Sequence, residues 1–184
     1  MPSFSRLAVA LGTAATLTIV LAGQPAYAGH RKATVHAVHR VAPAPARITR
    51  AQARAILISA ARHHAVNPNF VLAVSYWESG WNQAARSRTG AVGLMQIEPY
   101  TAAWAGPALL HRPVNLANPI DNAELGAALL RSYLDQLHDP RLVLAAYYQG
   151  LGAVRRYGIY PSSRTYVDGI WKLRNQFQIA RLGR

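Results

Sequence analysis

Apolar positions from Ile48 onward recur at intervals of three and four residues, and no segment alternates convincingly between apolar and polar. That periodicity predicts helix after helix. Thr49 and Gln52 stand at capping-box spacing with apolar Ile48 just before them, and Ala53, Leu57, Ala60, Ala61 and His64 then share one face. Asn67-Pro68, Asn118-Pro119 and Asp139-Pro140 each join a capping side chain to proline at the first helical position, where a missing N–H costs nothing. A last helix is expected to begin near Ser162 or Ser163, just beyond Pro161, and to run through Trp171 to about Gln178. Between Trp81 and Leu94, residues Asn82, Ser87, Thr89 and two glycines interrupt the pattern and leave room for a short β-hairpin. No internal repeat is visible. The expected fold class is mainly α.

Ahead of this region the composition changes twice. Arg6, an apolar run from Leu7 to Leu21, and the small-x-small triplet Ala26-Tyr27-Ala28 predict a signal peptide over 1–28, cleaved near Ala28. An uncleaved membrane anchor is the alternative, but the run is interrupted by Gly12 and threonines and falls short of about 20 apolar residues. Residues 29–46 read as a basic linker ending in Ala42-Pro43-Ala44-Pro45-Ala46, which favours an extended, semi-rigid chain. Its histidines, His30, His36 and His39, have no metal-ligand spacing and fit a solvated tether. Residues 47–184 are the expected folded domain.

The net charge of +13 points to a polyanionic partner. Nucleic acid would be considered first inside a cell, but export makes anionic cell-wall polymers the better match. The charge is mostly arginine, with Lys32 and Lys172 the only lysines. The chain has no cysteine, which excludes a disulfide framework and a thiolate metal site. No cofactor or metal is expected.

Against twenty Lys and Arg stand seven acidic residues, and Glu78 is the one set among aromatics, in Tyr76-Trp77-Glu78-Ser79-Gly80-Trp81. The helix from Asn67 carries Phe70, Val71, Val74 and Trp77 on one stripe, with Glu78 on or beside it. Gly80 is a natural helix-ending residue and puts Glu78 in the last turn. Burial and the negative end of the helix dipole both disfavour the ionised carboxyl. A carboxyl that keeps its proton near neutral pH is what a general acid requires. A surface glutamate at a frayed helix end, or one paired with arginine, stands level with that reading on these residues alone. The other acids have blander explanations: Asp121 and Glu124 suit the early turns of a helix, Asp139 a cap, Asp135 a solvated position late in its helix, and Asp168 the first turns of the last helix. Glu98, next to Pro99, reads as a helix-start residue or a second carboxylate.

Ordered blocks along the chain carry a resemblance. Glu78-Ser79-x-Trp81-Asn82 is followed by Ser87-x-x-Gly90-Ala91-x-Gly93-Leu94-Met95-Gln96-Ile97-x-Pro99-x-Thr101. Asn122, Gly126 and Leu130 come next, then Ala145-Ala146-Tyr147 with Gly150 and Gly152, then Arg164-x-Tyr166-Val167. Over roughly residues 50 to 175 this resembles the signature of the soluble lytic transglycosylase (SLT) family. The resemblance implies a lysozyme-like helical fold with a groove for a glycan, acting on peptidoglycan glycan strands; the chain is expected to be monomeric, with no nucleic-acid partner. It implies Glu78 as the single catalytic acid/base, cleaving the bond between N-acetylmuramic acid and N-acetylglucosamine and leaving a 1,6-anhydromuramyl end. It further implies Ser87 as a hydrogen-bonding contact to substrate, Gly90 and Gly93 as points of close glycan approach, and Met95 and Gln96 as groove lining. Tyr147 and Tyr166 would be groove tyrosines, with Tyr147 near Glu78; core packing is the competing reading, most of all for Met95 and Tyr166.

Two positions depart from the family pattern. Tyr148 stands where Ala-Tyr-Asn-x-Gly has asparagine, with Gln149 a candidate substitute amide, and Ser162 stands where some members have a stem-peptide-contacting glutamate. A hydrolase of the same fold and a non-catalytic wall-binding module are the rival readings. The expected location is secreted or wall-associated.

Overall fold

A computed structural model describes residues 48–182. The predicted signal peptide and basic linker, with its histidines, lie outside the described residues. Among the described residues seven helices follow one another: α1 (Arg50–His63), α2 (Pro68–Ser79), α3 (Pro99–Leu110), α4 (Pro119–Leu137), α5 (Pro140–Gln149), α6 (Leu151–Tyr157) and α7 (Arg164–Leu182). A 3-10 turn, Pro161–Ser163, leads into α7.

Helices begin where local side chains can satisfy their first N–H groups. The Thr49 hydroxyl accepts from the Gln52 N–H at 3.2 Å, and the Gln52 side chain accepts from the Thr49 N–H at 2.8 Å, closing the capping box. Asn67, Asn118 and Asp139 accept from N–H groups of α2, α4 and α5, each followed by the proline that begins the helix. Gly80 ends α2 in the left-handed conformation (φ 63°, ψ 27°), which a glycine adopts without a Cβ penalty. The last helix continues past the expected stop at Gln178 because Ile179 and Ala180 carry no stop signal.

The expected hairpin does not develop. Among the described residues there are only two single bridges, Arg86 with Val92 and Val92 with Ile97. Gly90 (φ 100°), Gly93 (φ 80°) and Gln96 (φ 46°) turn the chain in quick succession, too tightly for a ladder to extend.

Helix α1 packs on α4 and α2, α2 packs on α7, and α5 bridges α4 and α7. Their shared core includes Leu57, Val71, Val74, Leu125, Leu130, Leu144 and Ile170, all fully buried. Each such side chain contributes about 1.5–3 kcal/mol through burial. The outcome for the site is positional: α2 is clamped by α1 and α7, so its C-terminal turn is carried on a rigid element.

Candidate active site

Glu78 occupies the last turn of α2, half-buried, as its spacing from Gly80 predicts. The Tyr166 hydroxyl, from α7, donates to Glu78 Oε1 at 2.6 Å. The Tyr166 ring is itself boxed in. Trp77 meets it edge-on at 6.3 Å and 82°, and Tyr148 lies nearly parallel to it at 4.6 Å and 25°. Gly169, one turn beyond Tyr166, gives Trp77 its seat: a Cβ there would lie 2.1 Å from the indole ring.

The loop facing the end of α2 is held by buried polar groups. Ser75 and Ser79 both donate to the Leu94 carbonyl, each at 2.9 Å, and they lie one turn apart on the helix that carries Glu78. Buried Gln83 donates to Leu116 O at 2.9 Å and accepts from Leu94 N at 3.1 Å. Fully buried Asn122, on α4, accepts from Met95 N at 2.9 Å and donates to Val92 O and Leu116 O at 2.8 and 3.2 Å. All of these bonds but that of part-buried Ser79 are buried, where a satisfied network rigidifies and an unsatisfied group is costly.

The predicted site residues therefore separate by role. Tyr147 donates its hydroxyl to Met95 O at 2.8 Å, tying α5 to the loop, and Tyr166 reaches Glu78 although it is only 6% exposed. The Met95 side chain is fully buried, and a Cβ on Gly126 would meet it at 2.5 Å. It packs in the core, the competing reading for this residue. Gly93 is also buried: a Cβ there would lie 2.5 Å from Asn122 Nδ2 and 2.8 Å from Gln83 Oε1. Its lack of a side chain admits the protein's own amides. Gly90 is required for its positive φ, since a Cβ would make only an ordinary 3.8 Å contact with Glu98. Gln96 donates to Ala85 O and Gly93 O at 3.2 and 3.0 Å, so its amide nitrogen braces the loop.

Ser87 is exposed and accepts from Ala91 N at 2.9 Å. Its oxygen lies 2.8 Å from that of Thr89, whose hydroxyl donates to Glu98 Oε1 at 2.7 Å. With the Thr89 proton directed to Glu98, Ser87 supplies the proton between the two hydroxyls. Gln149, the candidate substitute amide, instead joins Gly158 O at 2.8 Å and Tyr160 N at 3.1 Å. Sequence reasoning did not assign Ser75, Gln83 or Asn122 their loop-holding roles; the signal present was a set of amides and hydroxyls falling on otherwise apolar faces.

The remaining acids are engaged elsewhere. Asp168 pairs with Arg141, joining α7 to α5, and Asp135 pairs with Arg131 one turn earlier. For Asp121, burial pushes the carboxyl up, but hydrogen bonds from Arg112 and the Asn115 N–H, with the Arg112 charge, outweigh it and hold it below its ordinary value. Glu124 receives His63 Nδ1 and His64 Nε2 at 2.7 and 2.8 Å on a single oxygen. Ligands of a tetrahedral ion with bonds of about 2.0–2.2 Å stand roughly 3.3 Å apart. The closer approach fits two N–H donors sharing a carboxylate, and it ties α1 to α4 away from Glu78. A cavity of about 300 Å³ between α1, α2 and α7 is lined by Arg54, Trp81 and Phe177 and includes neither Glu78 nor Tyr166.

The domain is mostly helical and its fold is lysozyme-like. Residues 55–167 match the Transglycosylase SLT domain, and the chain belongs to that family. It is 37% identical over 92 residues to a transglycosylase of Enterobacteria phage PRD1, covering 50% of this chain and 32% of that protein. It is 35% identical over 107 residues to the endo-type membrane-bound lytic murein transglycosylase A of Klebsiella pneumoniae, covering 50% of this chain and 51% of that protein. Among solved structures, an inactive glutamate-to-glutamine mutant of lytic transglycosylase Slt from Pseudomonas aeruginosa superposes with a TM-score of 0.59 at 27% identity, covering 66% of this chain and 23% of that one. The chain thus spans between about a third and a half of the curated relatives' length. No helix among the described residues is long and apolar enough to cross a membrane.

Proposed function

We propose that this chain is an exported, wall-associated peptidoglycan lytic transglycosylase in which Glu78 is the single acid/base. The observation that carries the reading is the Tyr166 hydroxyl 2.6 Å from Glu78 Oε1, at the end of a rigid core helix. The Tyr166 hydroxyl fixes the direction in which the carboxyl faces. The negative end of the α2 dipole disfavours an ionised carboxylate there. Glu78 gives its proton to the glycosidic oxygen as the bond from the muramic acid anomeric carbon breaks. The resulting carboxylate then takes the proton of the C6 hydroxyl of the same sugar, whose oxygen bonds to the anomeric carbon. The products are a free 4-hydroxyl and a 1,6-anhydromuramyl end, and Glu78 is protonated again. No water is consumed, so no second carboxylate has to activate one, unlike the paired carboxylates of common glycosidases.

Two features support the substrate class: relatives named as lytic murein transglycosylases, and a net charge of +13 suited to anionic wall polymers. The test is digestion of purified peptidoglycan by wild type and Glu78→Gln, with mass spectrometry of the glycan ends. The expected result is anhydro ends from wild type, lighter by one water than hydrated ends, and none from the variant. Hydrated ends alone would replace the lyase with a hydrolase, and Glu98 would then be the carboxylate to examine. Undiminished activity in Glu78→Gln would remove Glu78 from the chemistry.

A further inference from the structure

We propose that Tyr148 is a positioning residue for the acid, acting through Tyr166; the inference rests on Glu78 being the acid/base. Tyr147 and Tyr148 are adjacent on α5 but serve different partners. The first holds the loop through Met95 O, and the second lays its ring on Tyr166, 4.6 Å between centroids and 25° from parallel. Tyr166 in turn carries the hydroxyl that meets Glu78.

The geometry explains what such a stack does. A tyrosine hydroxyl lies on the ring axis, so rotation of the ring about that axis leaves the oxygen in place. Only a change about the Cα–Cβ bond swings it away from Glu78. That swing must slide the Tyr166 ring off the face of Tyr148 and off the edge of Trp77. Trp77 cannot supply the restraint alone, because it is 43% exposed and meets Tyr166 only by an edge. Tyr148 is the better restraint because its own helix packs on α7 and is held at both ends. Arg141 pairs with Asp168 near one end of α5, and Gln149 bonds Gly158 and Tyr160 at the other. The carboxyl of Glu78 is therefore oriented by a relay from α5 through α7 to α2.

A direct substrate contact by Tyr148 is the competing role, and a double-mutant cycle separates the two. Turnover and binding would be measured on solubilised glycan strands for Tyr148→Ala, Tyr148→Leu, Tyr148→Phe, Tyr166→Phe and the Tyr148→Ala/Tyr166→Phe pair, with the full chain and a melting curve for each. Tyr148→Phe keeps the stack and should retain most of the turnover that Tyr148→Ala loses. Tyr148→Ala should lower kcat by about 2- to 12-fold, the strength of one aromatic pair, with KM unchanged. In the Tyr166→Phe background the same change should cost less than about twofold, because the hydroxyl being positioned is gone. Tyr148→Leu keeps apolar volume and decides the case if the alanine variant melts early; it too should lower kcat. Full additivity, a defect in Tyr148→Phe equal to that of Tyr148→Ala, or a change in KM instead of kcat would each overturn the proposal. Glu78→Gln run alongside keeps the failures apart: an active Glu78→Gln sinks the acid assignment, whereas an inactive one with an uncoupled cycle sinks only the role of Tyr148.

Discussion

Replacing Asn122 by alanine should destabilise the fold by about 3 kcal/mol. Its amide is fully buried and makes three hydrogen bonds, to Met95 N, Val92 O and Leu116 O. After truncation the two carbonyls keep other donors: Val92 O still accepts from Ile97 N at 3.2 Å, and Leu116 O from Gln83 Nε2 at 2.9 Å. Each loses one ordinary bond, worth about 0.5–1.5 kcal/mol. The Met95 N–H is different, because its acceptor disappears and desolvation of a buried donor costs about 1–3 kcal/mol. The bare sum is about 2–6 kcal/mol by those values, and a water entering the polar void would repair part of it. Urea unfolding of the full chain, followed by tryptophan fluorescence, should show a lowered midpoint at unchanged m-value. Against a typical total of about 5–15 kcal/mol the effect is easily resolved. A loss below about 1 kcal/mol, the worth of a single hydrogen bond, would refute the claim that Asn122 holds the loop.

Gly126→Ala should destabilise by about 1 kcal/mol in the same urea assay: overpacking against Met95 costs about 1–3 kcal/mol and better helix propensity returns about 1. A stabilised variant would mean that Met95 can move aside. For Arg112→Ala the expectation concerns pH. The folded Asp121 carboxyl is held below its ordinary value, so its stabilisation is present above the unfolded value of about 3.9 and is lost as pH falls through the folded one. The stability gap between wild type and Arg112→Ala, read from melting curves across pH, should be full at neutral pH and close on acidification below about pH 4. A gap that widens on acidification would contradict the assigned ion pair.

Features written in neighbouring residues were legible in the sequence. The starts of α1, α2, α4 and α5 depend on a capping side chain and its next few N–H groups, and all four fall where Thr49, Asn67, Asn118 and Asp139 place them. Glu78 could be placed in a last turn because Gly80 stands two residues on. Contacts between distant segments were not legible. Tyr166 meets Glu78 across 88 positions, and no local pattern distinguishes a tyrosine that packs in a core from one that also reaches an acid. Met95 and Gly93 were ambiguous for a related reason. Whether a glycine clears space for a ligand or for the protein's own amides depends on what lies opposite, here Asn122 of α4.

The placement of the loop relative to the acid follows from which helix holds which end. Leu94 O is fixed by Ser75 and Ser79, both on α2, whereas Met95 N and Val92 O are fixed by Asn122 on α4. The helix that carries Glu78 thus sets the loop's position at Leu94 directly, and α4 only secures its flanks. Tyr147 adds a third hold from α5 at Met95 O. Loss of Asn122 therefore releases the Val92–Met95 backbone from α4 while Leu94 stays pinned to α2. Hydrogen exchange should then quicken first at the Met95 amide, and turnover at temperatures well below melting should fall by less than the stability loss alone would suggest. A collapse of turnover in fully folded Asn122→Ala would mean instead that α4, and not α2, sets the distance between the loop and the acid.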